Sequence, residues 1–216
     1  IRKDFLIVPD GLTFSSVIGT KTKREFTIEN RENITLNLEV IVEGLSGVLD
    51  LPSQIILKPR EIKTIELNIA PIEKGLETGK ILFYKGNNFV ELPVVLNAKS
   101  ENFLFDVNLK IPDVLRFISV GNTLKSTLSL LQVGPKEKVD VTVSYVIKDF
   151  SGKSYLEDSE TFFVLNEKEV EKEFSTEGLP PGKYILGVEV FYPGAFATSS
   201  SQFQVLEKKE VLSQNT

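Results

Sequence analysis

Histidine, cysteine, methionine and tryptophan are all absent from this chain of 216 residues. Without imidazole, the protein has neither the usual proton shuttle near neutral pH nor the commonest metal ligand. Without thiols, it has no disulfide, no cysteine nucleophile and no zinc-thiolate site. These absences exclude the most familiar designs for catalysis and structural metal binding, and we expect neither enzyme activity nor a cofactor.

The remaining composition is that of a folded protein. Apolar residues make up 41% of the chain and charged residues 25%, a mixture typical of globular proteins, and the length suits two domains of about 100 residues each. There are 25 basic and 30 acidic residues, for a formal net charge of -5. The basic run at residues 21–24 is most simply a charged strand edge. Because binding to a phosphate backbone needs a basic face, we expect no nucleic-acid partner.

The chain begins at Ile1 and contains no methionine, so we expect it to be a processed or excised piece of a longer product. No apolar run in it approaches the roughly 20 residues that span a bilayer. Any signal peptide or membrane anchor is therefore expected outside this sequence.

Alternation of apolar and polar residues is the dominant pattern, with the period of two that marks half-buried strands. It extends over residues 36–42, 65–69, 90–96, 103–111 and 139–147. Turn signals rich in Gly, Pro and Asn separate such runs, for example at residues 85–88 and 180–182. Short strands at this spacing predict an all-β chain built from antiparallel β-sandwiches.

One segment, residues 166–174, admits a helical alternative. Val170 and Phe174 are four residues apart among glutamates and lysines, as on one face of a helix. The same segment also alternates through Val170, Lys172 and Phe174, which is typical of an edge strand. The pattern alone leaves both interpretations open.

A weak internal repeat supports two domains. The dipeptide Ile18-Gly19 aligns with Val120-Gly121, and the apolar positions that follow each dipeptide then match. Shared strand patterning alone would produce a similar match, so duplication is one of two explanations. A polar stretch at residues 97–102 marks the boundary. We expect a first domain over residues 1–98, a second over 102–208 and a C-terminal tail over 209–216, with the domains end to end across a short linker.

Two motifs in the first half carry a family resemblance. Residues 28–30 form the pattern I-x-N at the end of a strand, and residues 59–61 form a P-x-E turn before an alternating strand. This half resembles immunoglobulin-like (Ig-like) modules of prokaryotic surface proteins, which are antiparallel β-sandwiches related in pattern to pilus-chaperone and sperm-protein sandwiches. The resemblance covers nearly all of residues 12–97 and implies the fold more than a function.

The second half carries a different set of signals. Residues 141–152 form a long strand and hairpin, residues 179–184 form an L-x-x-G-x-Y corner, and residues 197–205 form a closing strand. This half resembles the cell-adhesion-related Ig-like domains of bacterial and archaeal surface proteins. Together the two resemblances imply an extracytoplasmic setting, and these families bring no catalytic residues to transfer.

Paired carboxylates are the catalytic option that survives the missing residue types, because glycosidases need only two acids a few ångströms apart. Glu157, Asp158 and Glu160 form one cluster, and four alternating glutamates lie between residues 167 and 173. Both clusters interleave with Ser, Thr or Lys, as solvated strand edges do. We therefore expect a solvated face at each cluster.

A calcium site would need closely spaced Asp or Asn ligands with a Gly, and no such run occurs. Glu43, Asp50, Asp149 and Glu157 are the acids that loop ends could bring together. Roles in turns or caps are the alternative for these residues, and we expect no metal site.

The best candidate for an exposed aromatic surface is a Gly turn flanked by two rings, formed by Tyr192, Pro193, Gly194 and Phe196. It would serve as a contact loop for glycan or peptide. The alternative is a hairpin whose rings cover the end of the sandwich.

The other tyrosines that we consider lie within strand patterns, and we expect Tyr84, Tyr145 and Tyr184 to be core residues. Tyr184 follows Pro-Pro-Gly and is a candidate corner tyrosine, with its hydroxyl bound to the backbone. Asn33 begins the complete N-glycosylation pattern Asn-Ile-Thr at a turn, which predicts a modification site on an exported chain.

These observations favour a non-catalytic spacer or adhesion module in the ectodomain of a prokaryotic envelope protein at the cell surface. Its expected partners are other proteins or neighbouring envelope subunits. Two alternatives stay open. One is a glycan- or peptide-binding module that uses its end loops, and the other is a subunit of a surface filament or layer that assembles through exposed strand edges.

Overall fold

A computed structural model describes residues 4–45, 47–71, 73–134 and 137–207. Strands form over the alternating runs because each places one apolar row of side chains inward. The first half contains β1 (Phe5–Val8), β2 (Leu12–Val17), β3 (Thr22–Asn30), β4 (Leu36–Glu43), β5 (Leu49–Asp50), β6 (Gln54–Leu57), β7 (Ile62–Ile69), β8 (Leu76–Lys85) and β9 (Asn88–Lys99). The second half contains β10 (Phe105–Lys110), a 3-10 helix (Asp113–Leu115), β11 (Phe117–Ser119), β12 (Thr123–Gln132), β13 (Val139–Asp149), β14 (Ser154–Val164), β15 (Glu167–Ser175), β16 (Gly182–Tyr192) and β17 (Ala195–Leu206).

The first nine strands form one sandwich. Its four-stranded sheet has the order β1-β3-β7-β5, and its five-stranded sheet has the order β2-β9-β8-β4-β6. All neighbours pair antiparallel except β2 and β9, which are parallel. The inner faces meet in a buried core, where the rings of Phe26 and Phe83 pack edge to face with centroids 5.7 Å apart.

The remaining strands form a second sandwich with its own core. Its sheets have the orders β10-β12-β15 and β11-β17-β16-β13-β14, and only β11 and β17 are parallel. Tyr145, Phe105 and Phe203 are among its largest fully buried side chains. The prediction of an all-β chain of tandem Ig-like sandwiches is confirmed.

The segment with two interpretations is a strand. β15 pairs antiparallel with β12 along its whole length and is the edge of its sheet. The helical alternative is wrong, because burial along the segment alternates with a period of two residues. Lys168, Val170 and Lys172 turn toward the core, while the glutamates between them are exposed. The described part of the chain contains no helix long and apolar enough to cross a membrane.

The internal repeat aligns equivalent parts of the two sandwiches. Gly19 and Gly121 both occupy the turn that leads from the short parallel strand into the next strand, with φ of 75° and 83°. The residue before each glycine donates its N–H to the end of the last strand of its own domain, at 3.1 Å in both cases. The alignment is therefore confirmed at the level of topology.

The connection between the sandwiches differs from expectation. β9 continues to Lys99, so the expected linker at residues 97–102 begins inside a strand. The domains dock through the outer faces of their five-stranded sheets, and the end-to-end arrangement that we expected is wrong. The expected domain limits, 1–98 and 102–208, flank this connection and stay predictions. The tail 209–216, like residue 208, lies outside the described residues.

Candidate functional site

The first acidic cluster lies on the edge strand β14, where Asp158 and Glu160 face the edge strand β15 of the opposite sheet and Glu157 is exposed on the other face. The ammonium of Lys172 lies 3.0 Å from Asp158 Oδ2 and 3.9 Å from Glu160 Oε1. The hydroxyl of the buried Tyr145 donates to Glu160 Oε1 at 2.8 Å. The hydrogen bond from Lys172 holds the pKa of Asp158 below its usual range. These acids therefore tie two strand edges together, whereas a general acid needs a raised pKa.

The four glutamates of the second cluster lie in one row on the outer face of β15, and all are exposed. Glu173 pairs with Lys125 of β12 at 2.8 Å, and Glu169 accepts a hydrogen bond from Ser129 at 3.2 Å. Both contacts cross to the neighbouring strand of the same sheet. The exposure of this row agrees with the solvated face that we expected, and its lateral contacts are an addition from the structure.

Asp149 builds the turn that follows β13. Its Oδ1 accepts hydrogen bonds from the N–H of Ser151 (2.8 Å), the hydroxyl of Ser151 (2.7 Å) and the N–H of Lys153 (3.1 Å), and its Oδ2 accepts one from the Tyr155 hydroxyl (3.1 Å). Burial by itself raises the pKa of Asp149, but these hydrogen bonds outweigh it and lower the pKa below its usual value. The carboxylate is thus committed to its own turn.

The four acids considered for calcium do not come together. Glu43 pairs with Lys80 at 3.4 Å, Asp50 lies in β5 on the opposite sheet, and Glu157 lies on β14 of the second sandwich. Within the described ranges, no group of three or more acidic side chains is arranged to hold a metal ion.

The rings of the predicted aromatic contact loop are buried. Tyr192 is 7% exposed and Phe196 is 3% exposed. The Tyr192 hydroxyl accepts the N–H of Leu104 at 2.9 Å, and its ring packs edge to face on Phe105. The backbone of Phe196 is hydrogen-bonded to Ser100, in the connection between the domains. The expected exposed aromatic surface is therefore wrong. The alternative holds, because the loop is a hairpin whose rings cover the end of the second sandwich.

The tip of the same hairpin is exposed and consists of Pro193 and Gly194. Gly194 has a φ of 79°, which the tight turn requires. Pro193 and Gly194 are therefore the residues of this loop that could contact glycan or peptide, and that role stays a prediction.

The other tyrosines divide into two groups. The Tyr184 hydroxyl donates to the carbonyl of Pro180 at 2.7 Å, which is the expected corner bond. Tyr184 and Tyr145 are both core residues. The prediction that Tyr84 is a core residue is wrong. Tyr84 is half-buried on the outer face of β8, where its ring packs on the exposed ring of Phe89 with centroids 5.3 Å apart.

Asn33 is exposed in the turn between β3 and β4, and its Oδ1 accepts a hydrogen bond from Arg60 Nε at 2.8 Å. Its exposure is compatible with glycosylation, which stays a prediction.

Sequence reasoning missed the residues that join the domains. Lys148, Gly187 and Glu189 lie on the outer face of the second domain's larger sheet and contact the first domain. One signal was available, because a glycine in the middle of a strand often marks close approach by another backbone or side chain.

No family model matches the chain, and no curated protein matches it. Among solved structures, it is similar to an ASH/PapD-like domain of human CEP192, with 10% identity, a TM-score of 0.39, and coverage of 46% of this chain and 87% of that one. A CARDB domain from Pyrococcus furiosus, solved with di-metal ions, has 15% identity and a TM-score of 0.35, and covers 47% of this chain and 87% of its own. A chaperone–tip adhesin complex of CFA/I fimbriae has 13% identity and a TM-score of 0.39, and covers 88% of this chain and 94% of its own.

These neighbours are PapD-like, CARDB and chaperone–adhesin Ig-like sandwiches, the kinds of domain that the two halves of the sequence resemble. The likeness concerns the fold, and the fold assignment here rests on the strand order of the chain itself.

Proposed function

We propose that this protein is a non-catalytic structural and interaction module of an extracytoplasmic surface protein, acting as a spacer or adhesion ectodomain. The observation that carries the proposal is the ion pair of Lys172 with Asp158 across two strand edges. The cluster best placed to be a catalytic carboxylate pair is used to hold the sandwich closed. The buried ring of Tyr192 and the turn built by Asp149 are likewise structural.

The surface setting is supported by the resemblance of both halves to modules of prokaryotic envelope proteins. Its partners would be other proteins or neighbouring envelope subunits, and its membrane attachment would come from segments outside this sequence. Protease treatment of intact cells that express the parent protein tests this setting. We expect the chain to be cleaved before lysis, while a cytoplasmic marker protein survives. Protection of the chain until lysis would contradict the proposal.

The absence of catalysis is tested separately. The purified chain is incubated with glycan and peptide substrate libraries beside its Asp158→Asn variant, and we expect no turnover by either. Turnover by the parent chain that disappears in the variant would overturn the proposal.

Assembly by strand addition is disfavoured at the two long edge strands. β14 and β15 are both sheet edges, and Glu160 and Lys172 turn their charges toward the space between the sheets. Inward-pointing charges on edge strands oppose pairing with another chain. Light scattering across a wide concentration range is therefore expected to give a monomer, and filaments or strand-swapped oligomers would favour the assembly alternative.

Binding of glycan or peptide through the end loops is disfavoured, because the two rings that would form the contact surface, Tyr192 and Phe196, are buried. A glycan array probes what remains. A specific signal that Pro193→Ala removes would favour this alternative.

A further inference from the structure

The junction between the sandwiches has its own apolar cluster, separate from both cores. Leu76 and Val95 of the first domain pack with Val146, Phe150 and Ile185 of the second. Each of these side chains is at most 8% exposed. Four of them lie on the outer faces of the two larger sheets, and Phe150 lies in the turn after β13. Such outer faces are ordinarily solvated in a single Ig-like domain. Burying them stabilises the docked arrangement through the hydrophobic effect.

Side chains of the second domain bind both backbone polar groups of one residue in the first. The N–H of Leu76 donates to Glu189 Oε1 at 2.9 Å, and the carbonyl of Leu76 accepts a hydrogen bond from Lys148 Nζ at 2.8 Å. Hydrogen bonds to charged groups are roughly twice as strong as those between neutral groups. Because one bond uses a donor and the other an acceptor on the same residue, they fix its position along the strand direction.

Glycines make room for this contact on both sides. A Cβ at Gly187 would overlap Cδ2 of Leu76, and a Cβ at Gly75 would lie 2.5 Å from Glu189 Oε1. Gly75 also has a φ of 111°, which favours glycine. Leu76 therefore enters a notch in β16 that any larger residue at position 187 would obstruct.

The connecting segment is also bound along the second domain. The Thr198 hydroxyl donates to the carbonyl of Ala98 at 2.8 Å, and the N–H of Ser100 donates to the carbonyl of Phe196 at 3.0 Å. Ser100 Oγ in turn accepts the N–H of Phe196 at 2.6 Å. The chain leaving β9 is thus bound to β17 at Ala98 and Ser100, which shortens the segment that could act as a hinge.

The docked faces are equivalent in the two repeats. Strands β8 and β9 are the last two strands of the first sandwich, and β16 and β17 are the last two of the second. Each domain uses this sheet face against the other, whereas a head-to-tail contact would leave a free face for the next copy. The contacting residues themselves are not equivalent, because the notch at Gly187 lies in the second domain.

We propose that this junction locks the two sandwiches into one rigid, closed pair, so that the protein acts as a strut of fixed shape and not as a flexible or open-ended string of domains. The notch at Gly187 and the two charged hydrogen bonds to Leu76 set the relative orientation. This inference goes beyond the proposed function and holds in any compartment, so the two can fail independently.

Spin-label distance measurements test the lock in the full chain. The protein has no cysteine, so Asn87→Cys and Glu177→Cys place one label on an exposed turn of each domain without background labelling. We expect a single narrow distance distribution. A broad or multimodal distribution in the otherwise unchanged chain would overturn the proposal.

Two glycine substitutions on the same strand then separate the junction from the fold. In the doubly labelled chain, Gly187→Ala is expected to broaden or displace the distribution. Gly182→Ala, whose Cβ would meet nothing closer than 3.7 Å, is expected to leave the distribution unchanged. Far-UV circular dichroism confirms that both variants are folded. If Gly187→Ala keeps the position and width of the parent distribution, the notch does not set the orientation and the proposal is wrong.

A polar pair of variants gives a second readout if Gly187→Ala perturbs folding. Glu189→Ala removes the acceptor for the Leu76 N–H and is expected to broaden the distribution, while Glu189→Gln keeps an acceptor oxygen and is expected to restore much of the parent width. Equal, unbroadened distributions in both variants would contradict the lock.

Discussion

Asn30, the last residue of β3, offers the sharpest test of how this chain holds its turns. Its side chain is buried, with 1% exposure. Its Nδ2 donates to the carbonyls of Ile34 (2.8 Å) and Lys58 (2.7 Å), with a longer contact to Leu57 (3.4 Å), and its Oδ1 accepts the N–H of Glu32 at 2.9 Å. One amide thus joins the turn after β3 to the turn after β6. The asparagine of the I-x-N pattern suits this position because its amide carries two donor hydrogens and an acceptor oxygen, whereas a hydroxyl has a single donor hydrogen.

Asn30→Ala removes three short hydrogen bonds at once. Each is worth about 1 kcal/mol net, and the freed carbonyls of Ile34 and Lys58 lie in exposed turns that water can reach. We therefore expect a loss of about 3 kcal/mol in the free energy of unfolding. For chains of this size that corresponds to a fall in Tm of about 6–12 °C.

Urea unfolding followed by far-UV circular dichroism measures this loss, and the slope of free energy against urea should stay unchanged. Asn33→Ala is the matched control, because Asn33 lies exposed in the same turn and, among the described residues, its side chain is hydrogen-bonded to Arg60 alone. We expect the control to change stability by less than about 0.5 kcal/mol. If the two variants unfold at the same urea concentration, the amide of Asn30 does not hold the turns and the reasoning is refuted.

Three further substitutions test individual groups. Burial raises the pKa of Glu77, and the charge of Glu73 raises it further while Lys148 opposes the shift. The folded state therefore binds more protons than the unfolded state and loses stability as pH rises through the range in which Glu77 ionises. Thermal melts should show Glu77→Gln to be more stable than the parent by about 1 kcal/mol at neutral pH and equally stable below about pH 4. Hydrogen bonds lower the pKa of Asp149, so the stabilisation by its carboxylate is present above the ordinary pKa and is lost in acid. Calorimetry should show Asp149→Ala to be less stable than the parent near pH 7, with a difference in stability that narrows as pH falls. A difference that does not change with pH would contradict this. Burial raises the pKa of Tyr184 to about 12, so its hydroxyl stays protonated and can donate the corner bond at neutral pH. Tyr184→Phe keeps the ring but loses this bond, which should lower the free energy of unfolding in denaturant by about 1 kcal/mol. An unchanged unfolding midpoint would show that the bond contributes nothing.

The architecture could be predicted because its determinants are local. Period-two burial is visible in β3, β4, β7 and β12 without knowledge of their partners. The corner bond of Tyr184 follows from a proline-glycine turn four residues before it. Turn glycines such as Gly19 and Gly121 mark equivalent points of two domains because each needs a positive φ.

The junction could not be predicted in the same way, because outer faces pair through residues far apart in sequence. A partial signal exists in β16, where the run from Tyr184 to Val188 is buried on both faces. A nearly continuous apolar strand indicates cover on both sides, but it does not identify the covering partner. The aromatic loop at Tyr192 and Phe196 failed for a related reason, since an aromatic turn fits an exposed platform and a capped sandwich end equally well.

The departures from the internal repeat explain why the two domains meet as they do. Counting back equally from the closing residue pairs of the β8–β9 and β16–β17 hairpins makes Lys80 and Gly187 equivalent. If an Ig-like hairpin itself required glycine there, both domains would have it. Instead, the first domain carries Lys80, which pairs with Glu43 and Glu91, and only the second domain carries the notch. The glycine at position 187 is therefore explained by the entry of Leu76, and the shape of the pair is encoded where the two repeats differ.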